Sequence, residues 1–198
     1  MTSRSRFAAG SRRVHGVAMR TLMMTVWMVY AGIAFMPLLP MHAEADAVAT
    51  RRSELRRSCA LATQSMEQAE KMQEDLEKVT ESEPLAFGYR AMAEFLVGHH
   101  SYNPVTKMRC FTAGRDLMEK AVQAAPEMTE LRYLRFTIQS RLPGVLPYRE
   151  HRYTDKEHLM RFLMERRKAD DEELAGNIRA ALLSSDLCTE DEKARLRK

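Results

Sequence analysis

Between residues 130 and 155 five arginines, Arg132, Arg135, Arg141, Arg149 and Arg152, stand among four aromatic rings, Tyr133, Phe136, Tyr148 and Tyr153. Glu130 and Glu150 are the acids there before Asp155. Guanidinium forks grip carboxylates and phosphates in two-pronged fashion and tyrosine rings supply flat contact area, so one reading of the stretch is an anion or peptide-carboxylate site. The other is a set of ion pairs, Arg132 or Arg135 with Asp155 or Glu94, tying an irregular loop to the helices before it. On a helix Arg132 and Arg135 share one face while Leu131, Leu134 and Ile138 share another. The pairing reading is preferred, because acids are available to each arginine and partly buried pairs specify geometry more than they add stability. The candidate cluster is therefore Glu130, Arg132, Arg135, Tyr148, Arg149, Arg152 and Asp155.

Other chemistry finds thinner support. His99, His100, His151 and His158 are the imidazoles in reach of a metal, and Asp155-x-x-His158 offers one helical pair, but no HExxH accompanies it. Nucleophilic catalysis lacks a GxSxG elbow, and the five glycines after residue 45 are too sparse for phosphate-cradling loops. Glu172 with Glu173 and Asp191 with Glu192 are paired carboxylates, but they fall in first turns of helices, where the helix dipole accounts for them. Cys59, Cys110 and Cys188 are three thiols without a CxxC, read as buried thiols on helix faces, or as one bridge and one free thiol. No catalytic residue, metal or cofactor is expected.

The whole chain has 198 residues, 31 Lys+Arg, 27 Asp+Glu and 45% hydrophobic side chains, an ordinary globular composition for roughly one domain. Its net charge of +4 comes from the first 45 residues, which carry Arg4, Arg6, Arg12, Arg13 and Arg20 against Glu44 alone. The rest is neutral, and the usual step from a basic chain to a nucleic-acid partner fails. Residues 21–39 form an uncharged apolar run, with the only Trp, Trp27, behind that basic segment. Pro37, Pro40 and small-x-small patterns at Ala43, Ala45 and Ala47 come next. This is the layout of a secretory signal, with cleavage expected after Ala45 and a mature domain of residues 46–198. Met19 would make a compact start for the same signal. The alternative is an uncleaved anchor formed by residues 21–39, nearly long enough to span a bilayer.

The elements that must position the cluster are helices throughout, because apolar residues recur at three and four and sustained alternation is absent. One long helix is expected over 47–80, with Leu55, Ala62, Ala69 and Leu76 at sevenfold spacing. That stripe could pack on its own domain or make a coiled-coil seam with a second chain. Pro84 opens the next helix, over 84–98, and Asn103 followed by Pro104 caps a third that ends before Pro126. A fourth covers 128–141, and residues 143–153 form an irregular connection. Thr154 to Glu157 has a capping-box pattern for a fifth. A sixth covers 170–184, and a short charged turn comes after Thr189. The expected architecture is all-α, a helical hairpin array or bundle of about six helices.

Two resemblances emerge from these residues. The second and third helices look like a tetratricopeptide-type pair over 85–142, whose second member matches the motif's small-x3-large-x2-Ala-x4-Pro pattern at Gly114, Met118, Ala121 and Pro126. Small residues let paired helices approach closely and proline turns the chain onward. The first member lacks the motif's Trp and has only a loose equivalent in Leu85, Gly88 and Tyr89. The wider set of Gly88, Tyr89, Lys107, Phe111, Gly114, Pro126, the run from Glu130 to Phe136, Pro143, Tyr148 and Asp155 resembles a family of exported, all-helical bacterial proteins of unknown function. That resemblance implies a fold and a compartment and no activity. The expected role is a periplasmic or secreted protein-interaction module that holds another envelope or secreted protein on a helical face or on the 143–153 loop, with homo-oligomers possible. The alternative is a small-ligand or anion-binding protein, or an enzyme, built on Arg132, Arg135 and Tyr148. A purely structural envelope component is a third reading.

Overall fold

The structure, a computed structural model, describes residues 40–166 and 171–197. All regular structure among these residues is helical. The elements are α1 (Pro40–Ala62), α2 (Met66–Asp75), α3 (Pro84–His100), α4 (Pro104–Ala124), α5 (Thr129–Arg141), α6 (Arg152–Glu165), α7 (Glu172–Ser184) and α8 (Glu190–Leu196). From Thr50 onward the chain forms a compact unit, the second of two along the sequence, and it holds the candidate cluster. The expected basic leader, and the apolar run 21–39 read as a signal or an anchor, lie outside the described residues. No helix among the described residues is long and apolar enough to cross a membrane.

Among the described residues eight helices stand where the sequence suggests about six and a terminal turn. The single helix expected over 47–80 is two, because hydroxyl side chains compete with the helical ladder at the break. Thr63 Oγ1 donates to the Ala60 carbonyl at 2.7 Å, and Ser65 turns extended and accepts from the Gln68 amide at 3.3 Å, capping α2. His100 Nε2, from the end of α3, lies 2.9 Å from the Ala62 carbonyl that α1 leaves open. The capping box expected at Thr154 does not form. The Asp155 amide donates to the His151 carbonyl at 2.9 Å, so the first turn of α6 begins at Arg152. At α8 the reciprocal box between Thr189 and Glu192 is present.

The three-residue link 101–103 folds α3 back on α4, and close packing of this hairpin depends on small residues. A side-chain carbon at Gly98 would stand 3.0 Å from Cys110 Cβ. One at Gly114 would stand 2.9 Å from two Phe95 ring carbons and 3.2 Å from the Ala91 carbonyl. Met118 and Ala121 are buried beside them, while Pro126 lies beyond the end of α4 in the turn toward α5. Leu55, Ala62, Ala69 and Leu76 are all buried in the same core, so the sevenfold stripe packs on its own domain.

α5 is the pivot of the second unit, since two apolar clusters meet across it. Leu131, Leu134 and Ile138 join the cluster built on α1 to α4, while Phe136 joins a smaller one made of Leu159 and Met160 from α6, Leu174, Ile178 and Leu182 from α7, Cys188 and Leu196. A helix covered on both sides has little room for a charged face. Its polar residues Glu130, Arg135 and Gln139 are buried as well.

Candidate functional site

The arginine and aromatic stretch is brought together around Asp155, which is 0% exposed. Arg135, itself 5% exposed, grips it with both arms of the guanidinium, Nε to Oδ2 at 2.7 Å and Nη2 to Oδ1 at 2.8 Å. Arg132 Nη1 adds a bond to Oδ1 at 3.1 Å, and its Nε donates to the Pro126 carbonyl at 2.6 Å. The remaining arm of Arg135 reaches Glu119 Oε2 on α4 at 2.9 Å, and the Tyr148 hydroxyl donates to Glu119 Oε1 at 2.6 Å. Four elements are thus joined: α4, α5, the connection after it and α6.

Tyr148 holds the irregular connection in place. Its ring stacks on Phe95 at 6.4 Å and meets Phe111 edge-on at 6.4 Å, with Phe95 and Phe111 themselves edge to face at 6.2 Å. Such aromatic contacts add about 0.5–1.5 kcal/mol beyond the area they bury. Arg149 donates to the Leu142 carbonyl and closes the same connection from within. Burial pushes the Tyr148 hydroxyl up and the adjacent Glu119 carboxylate adds to it, so it remains a neutral donor. Burial opposes the charge on Arg135, but the Asp155 hydrogen bonds and charge outweigh it and hold the guanidinium protonated.

Two candidates lie elsewhere. Glu130 stands on the opposite side of α5, where Arg56 from α1 grips it in two-pronged fashion at 2.7 and 2.8 Å and the Tyr89 hydroxyl donates to it at 2.8 Å. The same guanidinium reaches Asp171 at 2.9 and 2.5 Å and Glu173 at 3.1 Å, so one cation ties α1 and α5 to the start of α7. Arg152 pairs with Asp186 at 2.5 Å after α7, beside Lys156, which meets Glu192 at 2.7 Å. Glu94, the other acid the sequence offers to Arg132 or Arg135, interacts instead with Cys110.

Local spacing does not reveal Arg56, Tyr89, Glu119, Asp171, Asp186 or Glu192 as members of these networks. Glu119 lies 16 residues from Arg135, and Arg56 lies 74 from Glu130 and 115 from Asp171. No short-range pattern marks partners so distant. Arg56 stands next to Arg57 in the sequence, and nothing local tells the two apart.

Cys59, Cys110 and Cys188 are free thiols. Burial pushes Cys59 up to about 11, with Arg141 pulling slightly the other way, which leaves it a poor nucleophile. His158 Nε2 lies 3.2 Å from the Thr129 hydroxyl, and burial first and then Arg132 lower its affinity for a proton. Among the described residues no group of three His, Cys, Asp or Glu side chains could hold a metal ion. What the cluster can do chemically is hold elements together: Arg132 and Arg135 are matched by Asp155 and Glu119, while Arg149 and Arg152 each keep a buried Nε without a hydrogen-bond partner. No protein-family model, curated protein or solved structure matches the chain.

Proposed function

We propose that residues 46–198 are an exported helical interaction module that holds another envelope or secreted protein and performs no bond-making step. Its centre is the α3–α4 hairpin, read as a tetratricopeptide-like pair on the strength of Gly114, Met118, Ala121 and Pro126. The observation that carries this reading is the state of the two arginines best suited to clamp an anion: both are already committed to Asp155, and Arg135 also to Glu119. A ligand carboxylate or phosphate would have to displace a buried partner, which costs several kcal/mol before any gain. The connection over 143–153 supports the same view. Tyr148 anchors it from inside while Val145 on the connection and Tyr153 in the first turn of α6 stand exposed. Export rests on the expected leader, and the second compact unit begins at Thr50, close behind the expected cleavage point.

The test is photo-crosslinking in cells, with a benzophenone amino acid replacing Val145 or Tyr153. The expected result is one discrete protein adduct from these positions and none from the same amino acid at Glu74 on α2. Absence of any adduct, or turnover of a defined compound by the purified chain, would sink the proposal.

A further inference from the structure

Beyond the interaction loop, a second exposed apolar surface lies at the tip of the α3–α4 hairpin. Tyr102 is 99% exposed, Val105 76% and Met108 54%. Val105 and Met108 are three residues apart on α4, so they share a side of the helix next to Tyr102. Exposed bases surround them: His99 lies in the last turn of α3, and Lys107 and Arg109 flank Met108. From Glu94 to Asp116 the chain contains no intervening carboxylate, although the domain as a whole is charge-balanced. α4 also lacks an acid in its first turn, so the positive end of its dipole is uncompensated by a carboxylate.

We propose that this tip seats on an anionic phospholipid bilayer, with Tyr102, Val105 and Met108 entering the headgroup boundary and Lys107 and Arg109 meeting lipid phosphates. Each part of the pattern matches what such a boundary selects. Tyrosine has an apolar body and a polar end, small apolar side chains gain by leaving water, and neighbouring bases are drawn to the negative surface. The charge decides between occupants. A second copy would bring like-charged tips together, whereas an anionic sheet complements them. Tyr102 has no wall beside it, and the depression that Val105, Met108 and Arg109 line along α4 is wide open, a shape that suits a flat bilayer better than a gripped peptide. The tip is not part of the ion-paired cluster, so this proposal stands whether or not the 143–153 loop binds a protein.

The chain's single Trp makes a local test possible. In the full chain, Trp27→Phe combined with Tyr102→Trp places the only indole at the tip, and Trp27→Phe combined with Val145→Trp places it on the other loop. Vesicles of phosphatidylcholine with about a third phosphatidylglycerol should shift the emission of the first to the blue and leave the second unmoved. Vesicles of phosphatidylcholine alone should shift neither. Adding Lys107→Gln and Arg109→Gln should weaken the response about five-fold per base removed. Both positions are exposed, so the fold should survive, and circular dichroism checks it. The proposal is overturned by an unresponsive indole at position 102, an equal response at position 145, an equal response to neutral vesicles, or indifference to the two substitutions. A response to polyglutamate without one to vesicles would also overturn it, assigning the tip to an acidic protein instead.

Discussion

Asp155 receives three guanidinium bonds while fully buried, and this makes it the residue on which the cluster is balanced. Removing one side of a buried ion pair costs about 3–5 kcal/mol, because the other charge is left without a partner. Asp155→Ala should therefore destabilise by that amount in chemical denaturation, and Arg132→Ala by less, since Arg135 still holds the carboxylate. Three tyrosines, Tyr89 and Tyr148 buried and Tyr133 half-buried, give a second expectation. Tyr89, Tyr133 and Tyr148 are all pushed above the ordinary phenol value, each chiefly by burial, with Glu130 next for Tyr89 and Glu119 next for Tyr148. A raised folded value favours the protonated form, so their contribution is complete below about 10 and fades as pH rises further. Absorbance at 295 nm should show these three tyrosines ionising only as the chain unfolds. At this scale the sequence narrows the partners of Arg132 and Arg135 to Asp155 or Glu94, and the fold selects Asp155, 23 and 20 residues away. Glu119 is not legible there, because nothing in the spacing of α4 distinguishes it from a solvated face.

At the scale of elements, α3 and α4 are held close by the absence of side chains. Gly114 faces the Phe95 ring, which is itself fixed between Phe111 and Tyr148. The ring cannot swing away cheaply, so Gly114→Ala should cost about 1–3 kcal/mol by overpacking, and Gly114→Leu should prevent folding. A melting curve for Gly114→Ala equal to that of the parent chain would contradict this packing. Gly88 is a useful contrast, because a carbon there collides only with the end of the Leu131 side chain, which a rotamer change relieves more easily. The helices from α3 to α5 can be read from prolines, Asn103 and apolar spacing, since these signals are local. The break at Thr63 to Ser65 is hidden by an apolar stripe that runs uninterrupted across it. The start of α6 is misleading in sequence because Thr154 and Glu157 imitate a cap, while inward pairing of Asp155 draws the helix back to Arg152.

Across the second unit, charge clasps join the α7–α8 end to the rest. Arg56 holds Asp171 and Glu173, Arg152 holds Asp186, and Lys156 holds Glu192. The Arg56 hydrogen bond keeps Asp171 below the ordinary carboxylate value, with burial opposing and the Leu174 amide assisting. The Lys156 hydrogen bond does the same for Glu192, helped by the Thr189 amide. Carboxyls depressed in this way contribute fully above the ordinary carboxylate range, and that contribution is lost as pH falls through their folded values. Amide exchange in α7 and α8 should therefore accelerate below about pH 4 before it does in α3 and α4. Such clasps are illegible in sequence because each joins residues at least 34 positions apart. We propose that the arginine cluster is scaffold, since Asp155 already takes up both Arg132 and Arg135. The most direct test is the melting temperature of Arg135→Ala in the absence of any ligand. A scaffold role predicts a fall of roughly 6–15 °C, and an unchanged melting temperature would contradict it.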